Sequence, residues 1–297
     1  MSPRRLPALA LVALLPLVAG CSDDDSSDGT TTTVAAGGST TAARDDPGDA
    51  TKDDLVAAIE RTRRSKSMEV TLRLAFDGGS TLGSQAASIA GPIVLDGSAM
   101  ELTSEVDGQA GAIRLVVLDG QAWVGGEGEE MQGALPDGVD WATLPAEDLF
   151  ASPGFTNPGD LTFLYLLNGA QDIEATGEGS YRFGIDLEEA VRSSPADVQE
   201  ELAGTLTFSG AADPEITGEV QLDDEGRIVA LDVVGVQTPT ADEREQLDLA
   251  EGDELTIELH VAVEAIDEPV EIAEPDGEIV DIADAPEVAT LIGVIAG

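Results

Sequence analysis

Basic residues are scarce in this chain: 14 Lys+Arg stand against 59 Asp+Glu, a formal net charge of −45. A phosphate backbone is bound by neutralising it with Lys and Arg and releasing counterions, so a nucleic-acid binder is excluded. Anionic headgroups repel most of such a surface for the same reason. Aromatic residues make up 3%, too few for a stacking platform for bases or an aromatic carbohydrate cleft. One cysteine and one histidine exclude a disulfide scaffold, a Cys/His zinc cluster and most metal sites built on imidazole. No cofactor and no metal are expected. A Gly-x-Ser-x-Gly elbow is missing, and Gly125-Gly126-Glu127-Gly128 fails the dinucleotide pattern and places acid where a phosphate would go. Carboxylates are so numerous that no pair singles itself out as an acid/base dyad. His260 falls on the polar side of the alternating run Leu255–Ala265, where it reads as a surface histidine. Together these absences point away from an enzyme. The acid is not a sign of disorder, because 42% of the residues are apolar and a core of ordinary size can be built.

A long uninterrupted apolar run is also missing. Residues 1–20 carry a basic start (Arg4, Arg5), an apolar stretch Leu6–Val18 broken by Pro7 and Pro16, and the small residues Ala19-Gly20. That is shorter than the roughly 20 residues a spanning helix needs and reads as a secretory signal. Val18-Ala19-Gly20-Cys21 resembles the lipobox of bacterial prolipoproteins, in which the thiol takes a diacylglyceryl group and becomes the new N-terminus. The expectation is a chain anchored through Cys21 on the extracytoplasmic face of the cell membrane, since two or more acyl chains hold stably where one does not.

Residues 21–50 are the expected lipidated Cys followed by Ser, Thr, Gly, Ala and Asp, with a single Val, one Arg (Arg44) and one Pro (Pro47). They cannot bury enough surface to offset ordering entropy, and so read as a disordered tether with about 30 Å of reach. Asp24, Ser26, Asp28 and Gly29 match half of a calcium loop but Ala35 stands where its Glu belongs, so no calcium site is assigned. The Thr30–Thr33 and Thr40-Thr41 runs are candidate O-glycosylation sites on composition alone.

The body spans residues 51–282. Lys52–Lys66 has helical spacing at Leu55, Val56, Ile59 and Thr62, with Thr51 able to cap it and Asp53 and Asp54 in its first turn. Arg61, Arg63, Arg64 and Lys66 crowd its last turn. They offset the helix dipole beside an acidic body, or touch lipid phosphates beneath the tether as a membrane-proximal basic end. From Met68 the period becomes two, predicting a half-buried strand to Phe76. Further strands are expected at Ile89–Leu95, Ala99–Val106, Gly111–Leu118 and Gln121–Val124, the last two joined by an Asp119-Gly120 hairpin turn. Helices are expected at Pro145–Phe150 and Asp160–Asn168, the second nearly continuous in leucine and so either buried or covering something apolar. Strands follow at Ile173–Thr176 and Gly179–Ile185, short helices at Asp186–Arg192 and Asp197–Leu202, and strands at Ile216–Leu222, Arg227–Val236 and Leu255–Ala265. Consecutive short strands with tight turns mean an antiparallel meander of about ten strands, not βαβ units. Residues 283–297 form an apolar tail too short to span, expected to dock on the body or fray, with a second surface anchor as the lesser reading.

The order of these elements resembles the LppX/LprG family of bacterial lipoproteins over about residues 52–282. The resemblance is carried by the lipobox, the tether, Leu55–Phe76, Gly120-Gln121-Ala122-Trp123-Val124, Gly138-Val139-Asp140-Trp141 and the leucine-rich helix. It continues through Gly177-Glu178-Gly179 before Tyr181-Arg182-Phe183, Leu187 with its helix, Asp224-Glu225-Gly226-Arg227 and Glu268-Pro269-Val270-Glu271-Ile272 with Pro275. It implies an α+β fold, a strongly curved antiparallel sheet or half barrel with helices covering its concave face. Between them it implies a hydrophobic cavity that accepts acyl chains of envelope lipids. The lining expected from it is Leu72, Leu74, Leu115, Val117, Leu161, Leu164 and Tyr165. A core of small residues can also pack solid, so two functions stand side by side. One is a membrane-anchored, monomeric carrier or holder of a lipid or lipoglycan. The other is a non-catalytic scaffold that binds a partner through an acidic surface and has no cavity.

Overall fold

The computed structural model describes residues 51–79, 83–108, 111–151, 160–196, 198–199, 202, 214–241, 244–245, 249–250 and 252–291. The signal segment, Cys21, the tether and the tail from 292 lie outside the described residues, as do positions 197, 200 and 201 of the expected Asp197–Leu202 helix. Helix α1 (Lys52–Arg63) starts where the Thr51 main-chain N–H and hydroxyl both donate to the Asp54 carboxylate, at 2.9 and 2.8 Å. Asp53 and Asp54 also place negative charge at the positive end of the helix dipole. Leu55, Ala58, Ile59 and Thr62 recur at helical spacing and form its buried face. Its far end is pinned by the Thr62 hydroxyl, which donates to the Ala58 carbonyl at 2.9 Å and accepts from the Ile228 N–H at 2.8 Å.

Alternation then takes over. Strands β1 (Ser67–Asp77), β2 (Ser84–Val94), β3 (Ala99–Val106), β4 (Ala112–Leu118) and β5 (Gln121–Glu127) follow one another, then helix α2 (Glu129–Ala134), β6 (Trp141–Pro145) and α3 (Ala146–Phe150). A 3-10 helix (Thr162–Gly169) leads to β7 (Ala170–Gly177), β8 (Ser180–Ile185), α4 (Leu187–Arg192), β9 (Glu215–Leu222), β10 (Ile228–Gln237), β11 (Leu255–Glu264), β12 (Ile279–Asp281) and α5 (Pro286–Leu291). All twelve strands belong to one open sheet in the order β12-β6-β5-β4-β3-β2-β1-β11-β10-β9-β8-β7. The chain runs out to one edge, crosses by the helical segment to the other edge, and returns until β11 closes on β1. The result is the curved α+β half barrel with helices on its concave side.

Two expectations are corrected. The sheet has twelve strands, not about ten, and it is not wholly antiparallel, because β12 pairs parallel with β6. The cause is the connection 265–278, which leaves β11, crosses the convex side and meets β6 from the same end; the Glu278 carbonyl receives the Asp140 N–H at 2.9 Å. The leucine-rich helix is the tighter 3-10 form, entered through Leu161 at φ 49°. Three residues per turn align Leu164 and Leu167 in one row, and both are buried, as is the preceding Leu161. This helix packs between α1 and α4. The close approach to α4 requires Gly169, where an added Cβ would lie 2.1 Å from the Asp186 carbonyl oxygen.

Candidate functional site

Cross-strand partners share a face of the sheet, so the registers define the concave face row by row. The row Met68, Ile93, Met100, Val117, Ala122, Leu144 is buried throughout, and the row Val263, Val70, Gly91, Leu102, Leu115, Val124, Ala142 is buried except at the half-buried Gly91. Beyond them the face opens. Leu72, Leu74 and Phe76 of β1, Ile89 of β2, Ile113 of β4 and Ile257 of β11 are only half-buried. Their row-mates on β10 and β11, Leu231, Val233, Leu259 and Val261, are buried. A largely apolar patch thus lies partly open beside the closed rows; the half-buried Ser104 stands between its Ile89 and Ile113, Gln85 borders Phe76, and Tyr181 of β8 is half-buried on the same face.

The structure brings the seven residues expected to line a cavity to one core. Leu115, Val117, Leu161, Leu164 and Tyr165 are buried members of the main hydrophobic cluster, and Leu72 and Leu74 pack against it half-buried. Of the seven, only Leu72 and Leu74 belong to the open patch. Phe76, Ile89, Ile113 and Ile257, which share the half-buried patch, are not among the residues expected from the sequence. The alternation of their strands carried the signal for three of them, whereas Ile89 sits in a strand whose start at Ser84 lies five residues before the expected one.

The four basic residues near the end of α1 have different partners. Arg63 bonds the Tyr165 hydroxyl, and its guanidinium carbon lies 5.1 Å from the centre of that ring. Arg61 reaches the Gly226 carbonyl at 3.5 Å, Arg64 sits 3.9 Å from Glu60, and the Lys66 main-chain N–H donates to Asp267 at 2.7 Å. Because α1 has 12 residues, this basic end lies about 18 Å from Thr51, where residue 50 joins the body.

Beside it the turn between β9 and β10 is held by charge. The Asp223 carboxylate accepts the main-chain N–H groups of Glu225 and Arg227 at 2.9 Å and Arg227 Nε at 2.8 Å, and Arg227 also meets Asp267 at 3.1 Å. Burial alone would push the Asp223 carboxyl up, but the Arg227 and Glu225 donors outweigh it and hold it below the ordinary carboxylate range. Asp223→Asn is expected to cost about 1–3 kcal/mol at pH 7. Since the folded-state pKa is depressed, that advantage is complete above about pH 4 and is lost as pH falls through the folded-state value. Urea unfolding followed by tryptophan fluorescence should show the gap between the two chains narrowing steadily as pH is lowered below about 4; a gap that stays constant over that range would contradict the assignment.

The convex face is polar over β1 and β8–β11. Arg182, Glu219, Asp232, His260 and Arg73 form one transverse row. Arg182 pairs with Glu219 at 2.7 Å, His260 Nδ1 with Asp232 at 2.5 Å and Arg73 with Asp107. His260 is exposed and faces away from the apolar patch. Over β4–β6 the same face carries a second cluster of Val116, Trp123 and Trp141, against which Ile272 of the 265–278 connection packs. Arg114 lies 5.3 Å from the Trp141 ring and 2.7 Å from Glu101, while the Trp141 indole N–H donates to the Asp276 carbonyl at 3.2 Å. Among the described residues no group of His, Cys, Asp and Glu side chains is arranged to hold a metal, and no helix is long and apolar enough to cross a membrane. The start of the tail is α5, whose Val288 and Ala289 are buried and which packs against α2.

No family model matches the chain, and no curated protein does. Among solved structures it is similar to LprF from Mycobacterium bovis, with 14% identity over 76% of this chain and 97% of that one and a TM-score of 0.36. It is also similar to a DUF1329 family protein from Desulfovibrio piger, with 10% identity over 75% and 93% and a TM-score of 0.26. A putative outer membrane lipoprotein-sorting protein domain from Vibrio parahaemolyticus matches with 13% identity over 74% and 95% and a TM-score of 0.26.

Proposed function

We propose that the protein is a non-catalytic, lipid-anchored envelope protein that holds acyl chains of a lipid or lipoglycan against the concave face of its sheet. The observation that carries this reading is the half-buried patch of Leu72, Leu74, Phe76, Ile89, Ile113 and Ile257 beside two rows of the same face that are packed with buried apolar side chains. Each methylene laid on such a surface contributes about 0.8 kcal/mol, so an acyl chain is a natural occupant and needs no directional contact. Release and uptake then require no chemistry, only a difference in affinity between the patch and a bilayer. Cys21 supplies the anchor and residues 22–50 the reach. Arg61, Arg64 and Lys66 face the headgroups; Arg63, committed to Tyr165, serves the packing of α1 on the 3-10 helix.

Native mass spectrometry of the mature lipoprotein released from detergent micelles tests the reading. The expected result is co-purified lipid beyond the covalent anchor, or uptake of added lipid at a stoichiometry near one. A chain that carries none and takes up none would overturn it and favour the scaffold reading, in which the charged convex row around Asp232 and Glu219 meets a partner.

A further inference from the structure

Gln237 ends β10 on the concave face, opposite Leu255, and is 2% exposed. Neither its side-chain Nε2 nor its Oε1 finds a hydrogen-bond partner among the described residues. Buried amides are paired in nearly all folded proteins, and each exception calls for a missing group. Alternation fixes the direction: Leu231, Val233 and Gly235 precede Gln237 on the same face and are buried, while Asp232, Val234 and Val236 point the other way. Ile257, the edge of the half-buried patch, is the diagonal neighbour of Gln237 across β10 and β11, a separation of about 7–8 Å. A second buried donor, Arg244 Nε in the connection that follows β10, also lacks a partner among the described residues. The apolar surface therefore ends at a donor and an acceptor that find no partner among the described residues.

We propose that Gln237 is the polar end of the acyl site, donating from Nε2 to the carbonyl or carboxyl oxygen of a bound acyl group whose chain runs over Ile257, Phe76, Leu74 and Leu72. The inference rests on the acyl-binding reading above. It adds the chemistry at the head, an acyl oxygen, and the direction of the chain. Six residues of β11 separate the Gln237 row from the Leu72 row, about 20 Å of sheet along which the chain extends.

The test titrates the mature lipoprotein with hexadecanoic acid and with methyl hexadecanoate, read by native mass spectrometry, in the wild type and in Gln237→Leu and Gln237→Met. Both substitutions remove an unpaired polar group of similar size, so the melting temperature should hold or rise. Half-saturation should move to at least tenfold higher concentration. A loss for both probes identifies an ester or acid carbonyl as the recognised group, and a loss for the acid alone identifies the free carboxyl. Equal affinities in all three chains, or a lower melting temperature with unchanged affinity, would overturn the role of Gln237 while leaving the acyl-binding reading intact. No binding by the wild type would overturn both.

Discussion

Cys21→Ser is expected to abolish incorporation of an alkyne fatty acid into the protein and to leave residues 1–20 attached, both read from the intact mass. Cys21 is the sole thiol in the chain, so no second site can take the label. The physical weight of the anchor is large. A single acyl chain holds a protein only marginally, whereas two or more give stable attachment. Without them, three exposed basic residues at about 1 kcal/mol each near an anionic surface would work against an otherwise acidic body. Label retained in the Ser variant would remove the lipoprotein assignment, because the lipobox offers no other acceptor.

Leu164→Ala is expected to cost about 2–5 kcal/mol, the range for a leucine deleted from a site that cannot collapse. Leu164 is 0% exposed. It stands in a row with Leu167 on the 3-10 helix, which is fixed on one side by α1 and on the other by α4. Asn168 reinforces that position through its Nδ2, which donates to the Ser194 hydroxyl at 3.1 Å. Leu74→Ala, by contrast, removes a half-buried side chain with solvent already beside it, and should cost about 1 kcal/mol or less. Urea unfolding read by Trp123 and Trp141 fluorescence distinguishes them. Equal large losses would mean that Leu74 is as tightly packed as Leu164 and that no acyl surface is left open.

Much of this architecture was legible in the chain. The period-two runs of β1, β3 and β9–β11 gave strands within one or two residues of those observed, because each alternates between a core face and a more exposed one; β4 was as legible from its β-branched run, although Val116 buries its other face. The cap of α1 was readable from Thr51 and the acids that follow. What escaped has physical reasons. Strand β6, Trp141–Pro145, is short, apolar on both faces and ends in proline. Trp141 packs on the convex side and Ala142 on the concave side, so no alternation marks it. Strand β12 has three residues and owes its existence to β6, a non-local pairing that no local pattern encodes. Nothing in Thr162–Gly169 separates a 3-10 from an α-helix, since the choice is made by packing against α1 and α4. At the candidate site, apolar periodicity identified the concave face but not which rows would stay partly open. Gln237 escaped because an amide at a strand end looks like an ordinary surface residue until its burial is known.

The central claim is that acyl chains lie on the open rows of the concave face. Irradiating membranes that contain the mature protein and a diazirine-bearing fatty acid, then locating the adducts by peptide mass spectrometry, tests it most directly. The account predicts adducts concentrated on Leu72, Leu74, Phe76, Ile89, Ile113 and Ile257, and suppressed by excess unlabelled hexadecanoic acid. Adducts confined to the convex face around Trp123 and Trp141, or none beyond background, would contradict it.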